Sequence, residues 1–249
     1  MKRVSSFLTI FAVSIFASSS ISAKDHLPTT KNPCASLPSH EKLKAALIEA
    51  RKKNNGGFNL DMWGTLVNRD GVVCAVAYTG TDRAQQWPGS RVISAQKANT
   101  ANAFSLPGLS LATANLFTAV QPGGSLFGLQ QSNPVDVSVA YGGNSEKYGT
   151  KNDYMIGKKI GGINVFGGGL ALYDAEKKLI GAIGVSGDSS CADHNIAWRT
   201  RENLKLNHIP GGVGPDKTDG VDYNHASGWA HPVCSEDAKK VAMEIGAGK

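Results

Sequence analysis

The sequence lacks most of the motifs that name a chemistry. No Gly-Lys-Ser/Thr closes a glycine-rich loop, which excludes a Walker-type phosphate cradle. Neither a Gly-x-Ser-x-Gly nucleophile elbow nor a His-Glu-x-x-His zinc helix occurs. There is no Asn-x-Ser/Thr sequon, which favours a bacterial periplasm over a eukaryotic secretory route. Charge is sparse: 26 Lys and Arg against 20 Asp and Glu leave a formal +6, too small and too dispersed to mark a nucleic-acid surface. The densest basic run, Arg51-Lys52-Lys53, sits at a predicted helix end, where cations complement the helix dipole. No apolar run after the N-terminus reaches the ~20 residues that a membrane span needs. Internal repeats and low-complexity tracts are absent.

What is present points outward from the cytoplasm. Lys2 and Arg3 precede a short apolar stretch, Phe7 to Phe16, and Ile21-Ser22-Ala23 suits signal peptidase; residues 1–23 are expected to be a cleaved signal peptide. The mature chain, from about Lys24, is expected to be periplasmic or secreted. Its four cysteines, an even number in an exported chain, are expected to form disulfides. Sequence allows three pairings; Cys34–Cys74 and Cys191–Cys234 are favoured, pinning the N-terminal arm and the C-terminal tail respectively. Glycine is in excess, at 29 of 249 residues against a usual ~7%, and gathers at strand ends and loops.

Strand-like segments come as hairpins. Met62 to Val67 and Val72 to Tyr78 flank the turn Asn68 to Gly71, and Leu170 to Tyr173 and Leu179 to Val185 flank Asp174 to Lys177. Helices are expected after Ser39, from Ser90 to Phe104, from Leu111 to Val120, and across Ser235 to Ile245. The Val135, Val137, Val139, Tyr141 alternation reads as an added strand, followed by a mobile or partner-facing polar loop, Gly142 to Lys159. Gly167 to Gly169 reads as a bulge, or as a place where a ligand lies on the backbone. Hairpins without repeated βαβ units imply an antiparallel α+β fold rather than a doubly wound parallel sheet.

The most informative stretch is Leu170 to Leu204, a hairpin, then Gly184-Val-Ser-Gly187, then a helix that Asp188, Ser189 or Ser190 can cap. A strand feeding a helix through small residues leaves backbone N–H groups free to receive an anion or polar group. "LIGAIGVSG" followed by Asp193 and Ala197 resembles the GlcG/HbpS-like family, related to the PduO C-terminal domain. "AQKANTANAF" at Ala95 to Phe104 and "PGGSLFGL" at Pro122 to Leu129 resemble the same family in the same order. The resemblance implies a profilin-like layered domain over residues 41–206, with an added segment at 132–162. Residues 24–40 would then be an N-terminal arm and 207–249 a C-terminal extension. It also implies haem binding, homo-oligomer assembly and a membrane-sensor partner, in a binding protein rather than an enzyme, although haem degradation is compatible with it.

Haem needs an apolar slot, an axial ligand and cations for its propionates. The absence of Cys-x-x-Cys-His excludes the usual covalent attachment. His194 is the candidate iron ligand, with His208, His225 and His231 as weaker alternatives, and Cys191 only if it escapes a disulfide. Arg199 and Arg201, with Arg83 and Arg91, are candidate propionate partners. The bend Ser186-Gly187-Asp188 with Asp193 and Lys97 forms the alternative site, binding or transforming a small organic acid. A Ser186–His194–Asp193 triad has poor geometry, because adjacent helix residues point in different directions. Asp222, His225, His231 and Cys234 match no zinc spacing and read as solvated tail.

Overall fold

The computed structural model describes residues 32–224 and 226–249. The expected leader, the start of the arm and His225 lie outside the described residues. Among those residues, no helix is long and apolar enough to cross a membrane.

A four-stranded antiparallel sheet forms the middle layer, in the order β2-β1-β4-β3. β1 (Trp63–Asn68) and β2 (Val73–Tyr78) make one hairpin, and β3 (Gly169–Tyr173) and β4 (Leu179–Ser186) the other. β1 and β4 pair centrally, Trp63 opposite Ser186 and Asn68 opposite Gly181. Alternation along β1 and β4 divides the core. Leu66, Ile183 and Val185 join Leu43 and Leu47 of α1 (His40–Arg51) and Ile196 of α5 (Ser190–Asn203). Val67 and Ala182 face Ala95, Ala98 and Ala101 of α2 (Ser90–Phe104). The sheet is thus covered on both faces, as the layered α+β expectation requires.

Small residues set the spacing of α2. A Cβ on Gly184 would lie 1.9 Å from the Ser94 carbonyl and 2.5 Å from Ala98 N. Helix starts follow their caps: Ser39 Oγ accepts from Lys42 N, and Ser189 Oγ from Ala192 N. α5 therefore begins before Asp193. The two disulfides, Cys34–Cys74 and Cys191–Cys234, pair as expected.

Three expectations are corrected. The alternation at 135–141 is not a strand: Asp136 Oδ1 accepts from Ser138 N and Val139 N and caps the short α4 (Val137–Ala140), after α3 (Leu129–Ser132). Only a single bridge, Val135 to Gly161, remains of sheet pairing there. Leu111 to Val120 is two 3₁₀ turns, Thr113–Leu116 and Thr118–Val120. Of the two readings of the polar loop 142–159, the mobile one is corrected: buried Asp153 accepts from Arg91 Nε at 2.8 Å, Gly149 N at 2.7 Å and Met155 N at 2.9 Å, while residues 144–147 stay exposed. Gly168, at φ +118°, lets its carbonyl accept Val185 N at 2.8 Å, so these glycines serve close packing at the start of β3.

The C-terminal segment is also part of the body. α6 (Glu236–Glu244) and Val221, Tyr223 and Ala247 share the α1/α5 side of the core.

Candidate functional site

β4 carries Ser186 to the end of the sheet, where the chain turns through Gly187 and Asp188 into α5. A Cβ on Gly187 would meet Asp61 O at 2.5 Å, so the bend passes the start of β1 only as glycine. Asp188 accepts from Phe58 N at 2.8 Å and Leu60 N at 3.1 Å, fixing the loop before β1 to the bend. Asp193, in the first turn of α5, accepts from Asp188 N at 2.9 Å and from Lys97 Nζ at 2.6 Å. Lys97 arrives from α2 and also donates to Val185 O at 3.1 Å. Both members of this pair are buried. Burial pushes the Asp193 carboxyl up to about 6, against the opposing pull of the Lys97 ammonium.

A cleft of about 300 Å³ adjoins the pair, walled by Trp87, Ile93 and Phe166, with Ser90, Ser186 and Ser190 supplying hydroxyls. The structure thus brings together Ser186, Asp193 and Lys97, with Gly187 shaping the bend. It does not bring His194 to them. His194 is fully buried, its ring 6.1 Å from Trp198, and neither ring nitrogen has a hydrogen-bond partner. Burial depresses its pKa to about 3, with Asp219 opposing and Arg201 and His231 reinforcing the shift. It is a neutral core imidazole, neither a surface cap residue nor part of the cleft lining.

The arginines are similarly dispersed. Arg91 is spent on Asp153, on Ala140 O at 2.7 Å and on the Tyr148 ring at 3.6 Å. Arg201 forks onto Asp219, while Arg83 and His208 lie exposed in loops. Arg199 lines a second, larger cavity of about 830 Å³ between α1 and the C-terminal end of α5. Leu37, Ala45 and Leu206 give this groove aliphatic surface. Lys42, Lys53, Arg199 and Lys205 give it four cations, and Glu49 and Glu202 two carboxylates. Its lining holds no His, Cys, Met or Tyr. A third depression, about 560 Å³, carries His40, whose Nε2 lies 2.9 Å from Gly149 O.

Sequence reasoning missed Asp153 and Asp219, each buried among partners distant in the chain, and it placed Asp188 at the bend without its partners Phe58 N and Leu60 N. Of the residues read as solvated tail, His231 is not: it is buried beside Cys191, with Nδ1 3.9 Å from Cys191 Sγ, whereas Cys234 is exposed although its disulfide ties it to α5.

A family model described as "Haem degrading protein HbpS-like" matches residues 40–201. Comparison with curated proteins returns no match. Among solved structures, a PduOC–haem complex is similar at 22% identity and TM-score 0.48, over 70% of this chain and 98% of that one. The ORFY protein of Klebsiella pneumoniae is similar at 24% and 0.45, over 66% and 86%. An HbpS double mutant from Streptomyces reticuli is similar at 17% and 0.44, over 79% and 99%. Because the family match runs from the start of α1 into the last turn of α5, most of the chain is covered, and the protein belongs to the HbpS-like family.

Proposed function

We propose that this protein binds haem in the groove between α1 and the end of α5. The observation that carries the reading is the groove's combination of size, aliphatic surface and four cations, in a chain of this family. At about 830 Å³ it suits a macrocycle, whereas the 300 Å³ cleft at the glycine bend suits a smaller ligand. Arg199 and Lys42, Lys53 or Lys205 would hold the propionates, and the aliphatic residues would meet the porphyrin face. Bound haem supplies a redox-active iron. The groove fits the macrocycle and its propionates but not a strong axial ligand, since its lining offers iron no imidazole or sulfur and only the Glu49 and Glu202 carboxylates as anionic oxygen. His194, the ligand expected from sequence, has no part in this binding.

Titration with hemin, followed in the Soret region, tests this. One saturable equivalent with a high-spin spectrum is expected. Arg199→Glu should weaken it by about tenfold, the scale of one lost charge-assisted contact, and His194→Ala should leave the spectrum unchanged. No saturable shift overturns haem binding. A low-spin spectrum lost in His40→Ala overturns the groove as its site.

A second ligand class is favoured at the bend, because Lys97 commits two of its three N–H groups, to Asp193 and Val185, and keeps one. A small carboxylate between Trp87 and Phe166 would take it. Calorimetric titration with two- to four-carbon carboxylates should show binding that Asp193→Ala alters; no heat with any of them removes this reading. Export, self-assembly and a membrane-sensor partner belong to the same proposal. Two disulfides support export, and exposed Phe58, Trp87 and Phe127 support contact with another protein surface.

A further inference from the structure

The Cys191–Cys234 bridge has a neighbour that a purely structural disulfide does not need. His231 Nδ1 stands 3.9 Å from Cys191 Sγ, and the two sulfurs and the imidazole place one ligand atom each within 4.8 Å of one another. Each sulfur also receives a backbone N–H from the opposite cysteine: Cys191 N donates to Cys234 Sγ and Cys234 N to Cys191 Sγ, both at 3.2 Å. Such donors stabilise thiolates, and Cys191 additionally lies in the first turn of α5, where the helix dipole favours negative charge. Exposure is asymmetric, with Cys191 buried and Cys234 exposed.

We propose that Cys191, Cys234 and His231 form a redox-gated site for zinc or a similar soft divalent cation, closed by the disulfide and opened by a dithiol reductant. The reductant's thiolate bonds to exposed Cys234 Sγ, and the electron pair of the Sγ–Sγ bond leaves on Cys191 Sγ. The reductant's second thiol then displaces Cys234, and the reductant departs as a cyclic disulfide. Two electrons have moved to the protein, and the metal takes the place of the two thiol protons. Zn–S near 2.3 Å and Zn–N near 2.0 Å put tetrahedral ligand atoms roughly 3.5–3.8 Å apart. The Cys191–His231 separation already approaches this, and the sulfurs reach it by relaxing apart once their bond is cut. Nδ1 now donates to Pro232 O at 2.8 Å. Ligation moves that proton to Nε2, giving up both the Pro232 bond and the long 3.4 Å contact from Gly167 N, two contacts that the metal–nitrogen bond must outweigh. Three protein ligands leave one position for water, so the bound cation remains open to a ligand.

The test uses the full chain with Cys34→Ser and Cys74→Ser, reduced with a phosphine, desalted without oxygen and titrated with Co(II). One equivalent should bind with thiolate charge-transfer absorption and tetrahedral d–d bands. Zinc should displace it, and the oxidised protein should take none. His231→Ala should weaken binding by about tenfold or more, within the 10–100-fold range that metal-site shells show. If the double serine variant does not fold, the wild-type chain is partially reduced and its free thiols mapped, with the same titration. The proposal is overturned if reduced protein with native near-UV circular dichroism takes no cobalt. It is equally overturned if His231→Ala binds as well as the parent, or if reduction alone abolishes the native spectrum.

Discussion

Arg201 and Asp219 form a fully buried ion pair in which the guanidinium reaches both carboxylate oxygens, at 2.5 and 2.8 Å, while Asp219 also accepts Ser110 Oγ at 2.6 Å. Burial alone would raise the Asp219 carboxyl; the Arg201 charge and the Ser110 hydroxyl outweigh it and hold the carboxyl below its ordinary range. A depressed acid contributes stability above its unfolded pKa of about 3.9 and loses it as pH falls through the lower folded value. The pair should therefore stay intact at mildly acid pH and release the C-terminal segment only below about pH 4, as near-UV circular dichroism against pH would report. Arg201→Met should cost about 3–5 kcal/mol in urea unfolding, because it leaves Asp219 buried and unpaired. Adding Asp219→Leu should recover most of the loss. Equal losses in the single and double variants would show that the charges are not what holds this contact. Such pairs are where sequence reading fails. Arg91 and Asp153 are 62 positions apart, and Arg201 and Asp219 are 18. No helical or strand spacing joins either pair, so Arg91 and Arg201 looked free to meet a ligand. Lys97 and Asp193 were legible because the helix and the bend carrying them resembled a known pattern, not because spacing linked them.

At the scale of elements, local chemistry decided how much could be read. The two hairpins were legible because turn residues and apolar runs agreed along each of them, and α2, which has no side-chain cap, because Ala95, Ala98 and Ala101 recur at helical spacing. The stretch 135–141 was not, since four alternating apolar residues fit a strand until Asp136 offers its carboxylate to two amides and turns the chain into α4. The approach of α2 to β4 follows from small residues on both sides and carries its own prediction. Gly184→Ala places a methyl against the Ser94 carbonyl, so α2 must lift from the sheet on the face that also positions Lys97. A loss at or above the upper end of the about 1–3 kcal/mol typical of overpacking is expected in denaturant unfolding. Gly108→Ala, where an added Cβ meets nothing within 4 Å, should be near neutral. Similar midpoints for the two variants would mean that the α2–β4 contact is loose.

The whole molecule is larger than the segment that carries the family pattern. Val221, Tyr223, Ala238, Ala242 and Ala247 lie in one cluster with Leu43, Ile183 and Ile196, and Asn195 Nδ2 donates to Ala238 O at 3.0 Å. The dependence runs both ways, because Asp219 neutralises Arg201 and Cys234 closes on Cys191 at the start of α5. From sequence this segment looked like an appendage: its buried apolar residues, Val221, Tyr223, Ala230, Ala238, Val241, Ala242 and Ala247, are mostly small and have no sustained period, and burial of that kind leaves little hydrophobic pattern to read. A chain ending at Leu206 keeps all four strands and α1, α2 and α5 but loses one wall of the core. It also leaves Arg201 without its carboxylate and Cys191 without its partner. Such a chain should retain helical and strand signal in the far-UV, lose near-UV structure and bind a hydrophobic dye. Sharp thermal unfolding with a native near-UV spectrum would instead show that residues 40–206 stand alone and that the tail is only laid over them. The groove between α1 and α5 distinguishes the cases further. Among the described residues, none after Leu206 lines it, so hemin affinity lost on truncation would arise through α5, the element that the tail holds in place.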